Sequence, residues 1–136
     1  MVDIDIVYEG DLRCRLTHRE SGSQIATDAP KDNEGRGEAF SPTDLVGAAM
    51  GSCMMTIMGI AARRHEIDLT GTKVHVQKEM LGGKYRRIKE LRVTISFPRK
   101  LDERERDLLE NAARSCPVHR SLHPEVEAPI EFVYPS

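Results

Sequence analysis

The sequence lacks tryptophan, and its phenylalanine and tyrosine residues together make up only 4% of 136 residues. Hydrophobic residues of all kinds still reach 39%, which excludes an intrinsically disordered chain. The core is therefore expected to be aliphatic, with help from six methionines. A chain of this length predicts one domain, spanning residues 1–136.

An excess of charge of one sign is also lacking. Twenty Lys and Arg residues face twenty-two Asp and Glu residues, which leaves a net charge of −2. Nucleic acids and anionic membranes attract proteins mainly through clustered positive charge. We therefore expect neither nucleic acid nor a membrane as a partner.

Cysteine is scarce, with three residues, and the first residues have no basic stretch followed by an apolar run. These features argue against a secreted disulfide framework and predict a cytoplasmic protein. In the reducing cytoplasm a pair of cysteines is more often reactive or metal-binding than structural.

One long run without charge covers residues 45–62. Its length is that of a candidate transmembrane helix. The run is rich in small residues and lies between strongly polar segments, so we expect the buried central helix of a soluble fold. Gly47 and Gly51, spaced four apart, would permit close packing against another helix.

The start of this helix is predicted at Ser41, because serine, proline and aspartate occupy 41, 42 and 44. Ser41 suits the N-cap, Pro42 the first helical position, and Asp44 the carboxylate of a capping box. The helix is expected to end near Arg64. A second helix is predicted from Asp102 to Cys116, with Cys116 on its buried face.

Alternation of apolar and polar residues predicts strands near residues 3–8, 12–16, 24–27, 72–80, 91–97 and 130–134. Leu12, Cys14 and Leu16 are expected on one face of the second strand. The polar loop 28–40 is expected to lack regular structure. The order of elements and the short turns predict an α+β fold with a mostly antiparallel sheet.

Cys53 falls in the middle of the apolar helix. Free cysteine is often just a small core residue. An apolar setting disfavours the thiolate, so a reactive Cys53 would need a nearby cation, from Arg36 in the preceding loop or from Arg13 or Arg15 on the second strand. Cys116 also faces inward, and two such cysteines are what a peroxidatic and a resolving thiol require, although chance can produce the same pattern.

A competing interpretation is a zinc site. Cys116, His119 and His123 have a C-x2-H-x3-H spacing, with Glu125 nearby. Two prolines interrupt the segment, however, and no second ligand cluster is obvious. We expect no metal.

Residues 41–53, SPTDLVGAAMGSC, followed by CPVH at 116–119, resemble the OsmC/Ohr family of osmotically inducible and organic hydroperoxide resistance proteins. The resemblance extends over nearly the whole chain. It implies an intertwined homodimer of α+β subunits with long central helices and active sites at the interface. It also implies a peroxidatic and a resolving cysteine, held by an Arg and a Glu. The resemblance further implies that a dithiol, lipoyl-type in the best-known members, reduces the disulfide and that no cofactor is needed.

The resemblance transfers directly to Cys53 and Cys116. The family Glu falls at Thr43 here, so Glu38 or Asp44 is expected to replace it. For the family Arg, Arg36 is preferred over Arg13.

The leading hypothesis from the sequence is therefore a cysteine-based peroxidase for organic hydroperoxides. Catalytic roles are assigned to Cys53, Cys116, Arg36 and Glu38, and binding roles to Arg13 and Asp44. The alternative is a non-catalytic OsmC-like binding protein that keeps its cysteines as thiols.

Overall fold

The computed structural model describes all residues from Met1 to Ser136. The strands are β1 (Ile4–Gly10), β2 (Arg13–His18), β3 (Gln24–Asp28), β4 (Lys73–Leu81), β5 (Arg87–Ser96) and β6 (Ile130–Val133). The helices are α1 (Pro42–Arg64), α2 (Glu103–Arg114) and α3 (Pro117–Arg120). The chain forms two compact units, Met1–Val46 and Gly47–Ser136, which are described separately.

Each unit contains one three-stranded sheet. In the first unit β1, β2 and β3 pair antiparallel in sequence order. In the second, β4 and β5 are antiparallel and β6 pairs parallel with β5. The α+β class is thus confirmed, and the pairing is mostly antiparallel with one parallel exception.

The first sheet has one apolar and one charged face. Ile6 lies opposite Leu16, and Leu16 lies opposite Ile25, so these side chains share a face. Ile4 and Tyr8 belong to the same face by strand alternation. The apolar side chains of β1 on this face are strongly exposed, at 61% for Ile4, 62% for Ile6 and 63% for Tyr8.

The turn between β1 and β2 corrects one prediction. Leu12 was expected to continue the strand, but Asp11 and Leu12 both have positive φ, at 52° and 63°. A tight hairpin turn with the native strand twist requires such left-handed residues. Strand β2 therefore begins at Arg13. The Leu12 N–H donates to the Tyr8 hydroxyl at 3.3 Å.

The predicted helix start is confirmed. The Ser41 hydroxyl accepts from the Asp44 N–H at 3.1 Å, and the Asp44 carboxylate accepts from the Ser41 N–H at 2.9 Å. This reciprocal capping box fixes the beginning of α1 at Pro42. The helix ends at Arg64, as expected from the sequence.

Helix α1 is buried along one stripe, not around its whole circumference. Met50, Met54, Met58 and Ala62 follow each other at four-residue spacing and are at most 2% exposed. Its length and composition match those of a membrane span, and only 33% of that apolar window is buried within the chain. The core helix of a soluble protein meets the same criteria.

Gly47 and Gly51 of α1 pack against the second sheet, and not against another helix as the sequence had suggested. A Cβ at Gly51 would lie 2.7 Å from Val76 Cγ2 and 3.3 Å from Val74 Cγ1. A Cβ at Gly47 would meet Leu91 and Val76 at 3.3 and 3.4 Å. Small residues therefore allow β4 and β5 to approach the helix that carries Cys53.

This close approach predicts opposite effects at two glycines of α1. Gly51→Ala should lower the free energy of unfolding by about 1–3 kcal/mol, because the added methyl group overpacks the contact with Val76. Gly59→Ala is the matched control, since a Cβ there meets nothing within 4 Å. It should raise the free energy of unfolding by up to ~1 kcal/mol through helix propensity. Urea unfolding measures the free energy of unfolding of both variants. Equal changes of the same sign would contradict the close contact between Gly51 and Val76.

The second sheet carries the densest part of the core. Leu91, Val93 and Ile95 of β5 are fully buried, as are Leu109 and Ala113 of α2. A capping box between Asp102 and Glu105 starts α2, as predicted. Helix α2 ends at Arg114, earlier than expected.

Candidate active site

Cys53 lies on α1 between Met50 and Met54, which belong to the buried stripe. Its thiol is free, and the residue is partly exposed. The sequence had placed Cys53 in mid-helix among apolar neighbours, and the structure agrees. Position alone does not make this thiol reactive, because it is too far from the helix start to benefit from the N-terminal dipole.

Cys116 occupies the junction between α2 and α3. The sequence predicted it on the buried face of α2, but it is instead the N-cap residue of α3, followed by Pro117 at the first helical position. Proline after the α2 terminus ends that helix, and it suits the first turn of the next one. The burial itself is as predicted, since Cys116 is 0% exposed.

Two hydrogen bonds hold the Cys116 sulfur. It accepts from the His119 N–H at 3.4 Å, and its S–H donates to the Met50 carbonyl at 3.8 Å. Met50 precedes Cys53 by almost one helical turn, and the Cys53 side chain is close enough to Cys116 to raise the pKa of its thiol. Both are free in the structure.

The environment of Cys116 favours its protonated form. Burial raises the pKa of the Cys116 thiol above its ordinary value, and the adjacent Cys53 sulfur acts in the same direction. The His119 N–H opposes this shift without cancelling it. Cys116 is therefore a buried neutral thiol at neutral pH, beside a second thiol that remains partly exposed.

A cavity of about 300 Å³ is lined by Met54, Arg114, His119, Ala128 and Ile130. Met54 follows Cys53, and His119 is the residue whose N–H binds Cys116. The cavity walls thus include neighbours of both cysteines, while neither cysteine lines it.

The residues considered as zinc ligands do not form a metal site in the structure. Cys116 is engaged with Met50 and His119, and the His123 ring nitrogen accepts from the Glu125 N–H at 3.1 Å. No group of three His, Cys, Asp or Glu side chains is arranged to hold a metal ion.

In the first unit, Arg13 forms the most extensive polar contacts of the predicted site residues. Its guanidinium binds Asp28 through two nitrogens at 2.7 and 2.8 Å and reaches Glu38 at 3.3 Å. The Glu38 N–H also donates to the Asp28 carboxylate at 3.1 Å. Asp28 is only 2% exposed, so this carboxylate is the buried anchor of the cluster.

Arg36, the preferred arginine from the sequence, lies in a more exposed place. Its guanidinium makes one contact with Asp11 at 3.3 Å, and its side chain is 57% exposed. Glu38, one of the two residues expected to replace the family Glu, contacts Arg13. Asp44 forms the capping box with Ser41.

Sequence reasoning missed Asp28. The signal appears only in the pairing of β2 with β3, where Asp28 lies directly opposite Arg13. Opposite charges at paired positions of neighbouring strands stabilise each other. The placement of Asp28 at the end of a strand, before a polar loop, made it look like a turn residue.

The Arg13–Asp28 contact predicts a pH dependence of stability. The hydrogen bond from Arg13 holds the pKa of Asp28 below its ordinary value. Its stabilising effect is therefore fully present above the unfolded pKa of about 3.9, and it is lost as the pH falls through the lower folded pKa. Asp28→Asn should lower the unfolding temperature at neutral pH and flatten its decline below about pH 4. Asp11→Asn, which alters only an exposed ion pair, is the control and should track the original protein.

The family model described as OsmC-like protein matches residues 35–131, well over half of the chain. The chain belongs to the OsmC-like family. Both cysteines, Arg36 and Glu38 lie inside the matched residues, and Arg13 and Asp28 lie outside them.

Solved structures agree with this assignment. A Psychrobacter arcticus protein, described provisionally as an osmotic stress induced and detoxification response protein, is 43% identical over 97% of this chain and 96% of its own, with a TM-score of 0.92. An organic hydroperoxide resistance protein from Legionella pneumophila is 14% identical over 98% and 96%, with a TM-score of 0.76.

The organic hydroperoxide resistance protein OhrB of Bacillus subtilis is 15% identical over 97% of both chains, with a TM-score of 0.71. At such low identity the hydroperoxide resistance proteins show the shared OsmC-like fold alone. No curated protein matches the sequence.

Proposed function

We propose that this OsmC-like protein is a thiol-dependent peroxidase that reduces organic hydroperoxides. The observation that carries the proposal is a pair of neighbouring cysteines: Cys116 is buried, Cys53 is partly exposed, and Cys53 is close enough to raise the pKa of the Cys116 thiol. The fold shared with organic hydroperoxide resistance proteins supports the substrate class.

The reaction needs only these two sulfurs and an external reductant. The Cys53 thiolate attacks the outer oxygen of the hydroperoxide, the O–O bond breaks, and the leaving alkoxide takes a proton to become an alcohol. Cys53 is then a sulfenic acid. The Cys116 thiol attacks its sulfur, water leaves, and a Cys53–Cys116 disulfide forms. A dithiol, which the family resemblance implies to be of the lipoyl type, then reduces this disulfide to two thiols. The dithiol is itself oxidised to a disulfide.

The proposal requires a guanidinium that stabilises the Cys53 thiolate, and Arg36 and Arg13 are the two candidates. Arg36 has one exposed partner, so most of its five N–H donors remain available. Arg13 is better ordered, because Asp28 and Glu38 hold it through three hydrogen bonds. An arginine suits the task because it stays charged and donates to a thiolate without blocking it.

Substituting each arginine separately identifies the activator. If Arg36 has this role, Arg36→Ala should slow alkylation of Cys53 at neutral pH by about tenfold, the scale of one charge-assisted hydrogen bond. Arg13→Ala should then leave this rate unchanged, and Arg15→Ala is a control for the loss of surface charge. Rates of iodoacetamide labelling at Cys53 provide the measurement. Slower alkylation in Arg13→Ala alone would assign the role to Arg13. Equal alkylation rates in all three variants would exclude both Arg13 and Arg36.

The proposal includes a homodimer. Ile4, Ile6 and Tyr8 are each more than 60% exposed on the apolar face of the first sheet, and a contiguous exposed apolar patch marks an interaction surface. Ile60 on α1 is also exposed, at 43%. A second copy of the chain is the occupant that the family resemblance implies. The reducing cytoplasm, expected from the scarcity of cysteine, is retained as the proposed location.

A second candidate function is a non-catalytic binding protein. It is favoured by Thr43, which stands where the resemblance places a glutamate. Consumption of cumene hydroperoxide with a dithiol reductant separates the two functions. The peroxidase predicts turnover with dihydrolipoamide well above the reaction of the reductant alone, unchanged in Cys14→Ser. No protein-dependent consumption would favour the binding protein.

A further inference from the structure

The two cysteines of the pair differ sharply in access. Cys116 is 0% exposed within a single chain, while Cys53 retains part of its surface. A second copy of the chain can only add to this burial, so Cys116 is inaccessible in any assembly that keeps this structure. In a Cys53–Cys116 disulfide, an external reductant can therefore reach the Cys53 sulfur more easily than the Cys116 sulfur.

The Cys116 sulfur is also fixed by its own hydrogen bonds. As the N-cap of α3 it accepts the His119 N–H, and it approaches the Met50 carbonyl. Moving this sulfur outward would remove the cap of α3 and leave the His119 N–H without its partner. Cys53 is not tied in this way to a helix end, because it lies in the middle of a continuous helix.

Attack on a disulfide proceeds in line with the S–S bond, and its rate depends on access to the attacked sulfur. We propose that the reducing dithiol attacks the Cys53 sulfur, so that the mixed disulfide forms on Cys53 and Cys116 is the leaving thiol. The inference rests on the proposed peroxidase function and specifies how the reductant uses the same site.

The step balances with the dithiol as the sole electron donor. Its first thiolate bonds to Cys53 Sγ, the bond between Cys53 and Cys116 breaks, and Cys116 leaves as a thiolate that takes up a proton. The second thiol of the reductant then gives up its proton to solvent and attacks the sulfur of the first. This closes the reductant's own disulfide and releases Cys53 as a thiolate.

One property of Cys116 opposes this order. Burial raises the pKa of its thiol, and a less acidic thiol leaves more slowly. The His119 N–H partly offsets the effect, because it donates to the sulfur that receives the negative charge. We expect solvent access, and not the acidity of the leaving thiol, to determine which sulfur is attacked. A sulfur with no exposed surface cannot be approached without local unfolding.

The test uses a disulfide made without hydroperoxide, so that it does not depend on peroxidase activity. Cys14→Ser protein is oxidised with diamide, exposed briefly to limiting glutathione, and quenched with N-ethylmaleimide. Peptide mass mapping then locates each label. We expect glutathione on Cys53 and N-ethylmaleimide on Cys116, with at least about a tenfold excess over the reverse pattern at the earliest times. Glutathione on Cys116, or equal labelling of both, would overturn the inference.

A matched arm uses single-cysteine proteins and dithiodipyridine, in the same Cys14→Ser background. Cys116→Ser, which retains Cys53, should react at least about tenfold faster than Cys53→Ser, which retains Cys116; equal rates would overturn the inference. If diamide forms no disulfide between the two cysteines, the resolving step and this inference both fall. If the disulfide is reduced through Cys53 but hydroperoxide is not consumed, only the proposed function fails.

Discussion

The Cys53→Ser protein is expected to lose hydroperoxide consumption by at least about a thousandfold, because removing a catalytic nucleophile acts on this scale. Serine has nearly the same size, so the fold and the buried stripe of α1 should be unaffected. Circular dichroism and the urea midpoint check this. The assay is the decay of cumene hydroperoxide with dihydrolipoamide.

Cys116→Ser should behave differently from Cys53→Ser. It retains Cys53, the proposed peroxidatic thiol, so it should consume about one equivalent and accumulate a sulfenic acid on Cys53. Dimedone labelling detects that product. Cys14→Ser is the control and should match the original protein. If Cys53→Ser and Cys14→Ser consume hydroperoxide at equal rates, Cys53 is not the nucleophile.

Ile6→Glu is expected to dissociate the proposed dimer. Ile6 lies on the apolar face of the first sheet, opposite Leu16, and it is 62% exposed in the single chain. A carboxylate buried there without a partner would cost several kcal/mol, and two-fold symmetry would place it twice in the interface. We expect the dimer Kd to rise by at least about a hundredfold.

Val7→Glu provides a closely matched control. Val7 is the next residue of β1 and is 63% exposed, but it points to the charged face, opposite Arg15. Its dimer Kd should stay near that of the original protein. Sedimentation velocity across a range of concentrations measures all three proteins. A monomeric original protein at micromolar concentration, or equal behaviour of the two variants, would contradict the dimer.

The sequence predicted the local features of the fold well, because they depend on short-range chemistry. The capping box of Ser41 and Asp44 fixes the start of α1 within a few residues of chain, and Asp102 does the same for α2. The order of strands and helices follows from periodicity. The motif around Cys53 and Cys116 was sufficient to indicate the family, which the match over residues 35–131 confirms.

Features that depend on pairing between distant segments were less predictable. Gly47 and Gly51 had suggested a helix neighbour, and only the folded chain shows that Val76 fills that space. Cys116 was assigned to the wrong helix, because its role as the N-cap of α3 depends on the turn made by Pro117. The anchor formed by Asp28 and Arg13 required the register of β2 and β3.

The most direct test of the central claim is the intact mass of Cys14→Ser protein after one equivalent of cumene hydroperoxide, without reductant. The proposed function predicts the loss of two hydrogen atoms per chain, and peptide mapping should place the new bond between Cys53 and Cys116. Adding a dithiol should restore the original mass. An unchanged mass, or the addition of oxygen atoms without a disulfide, would contradict a peroxidase in which Cys116 resolves the oxidised Cys53.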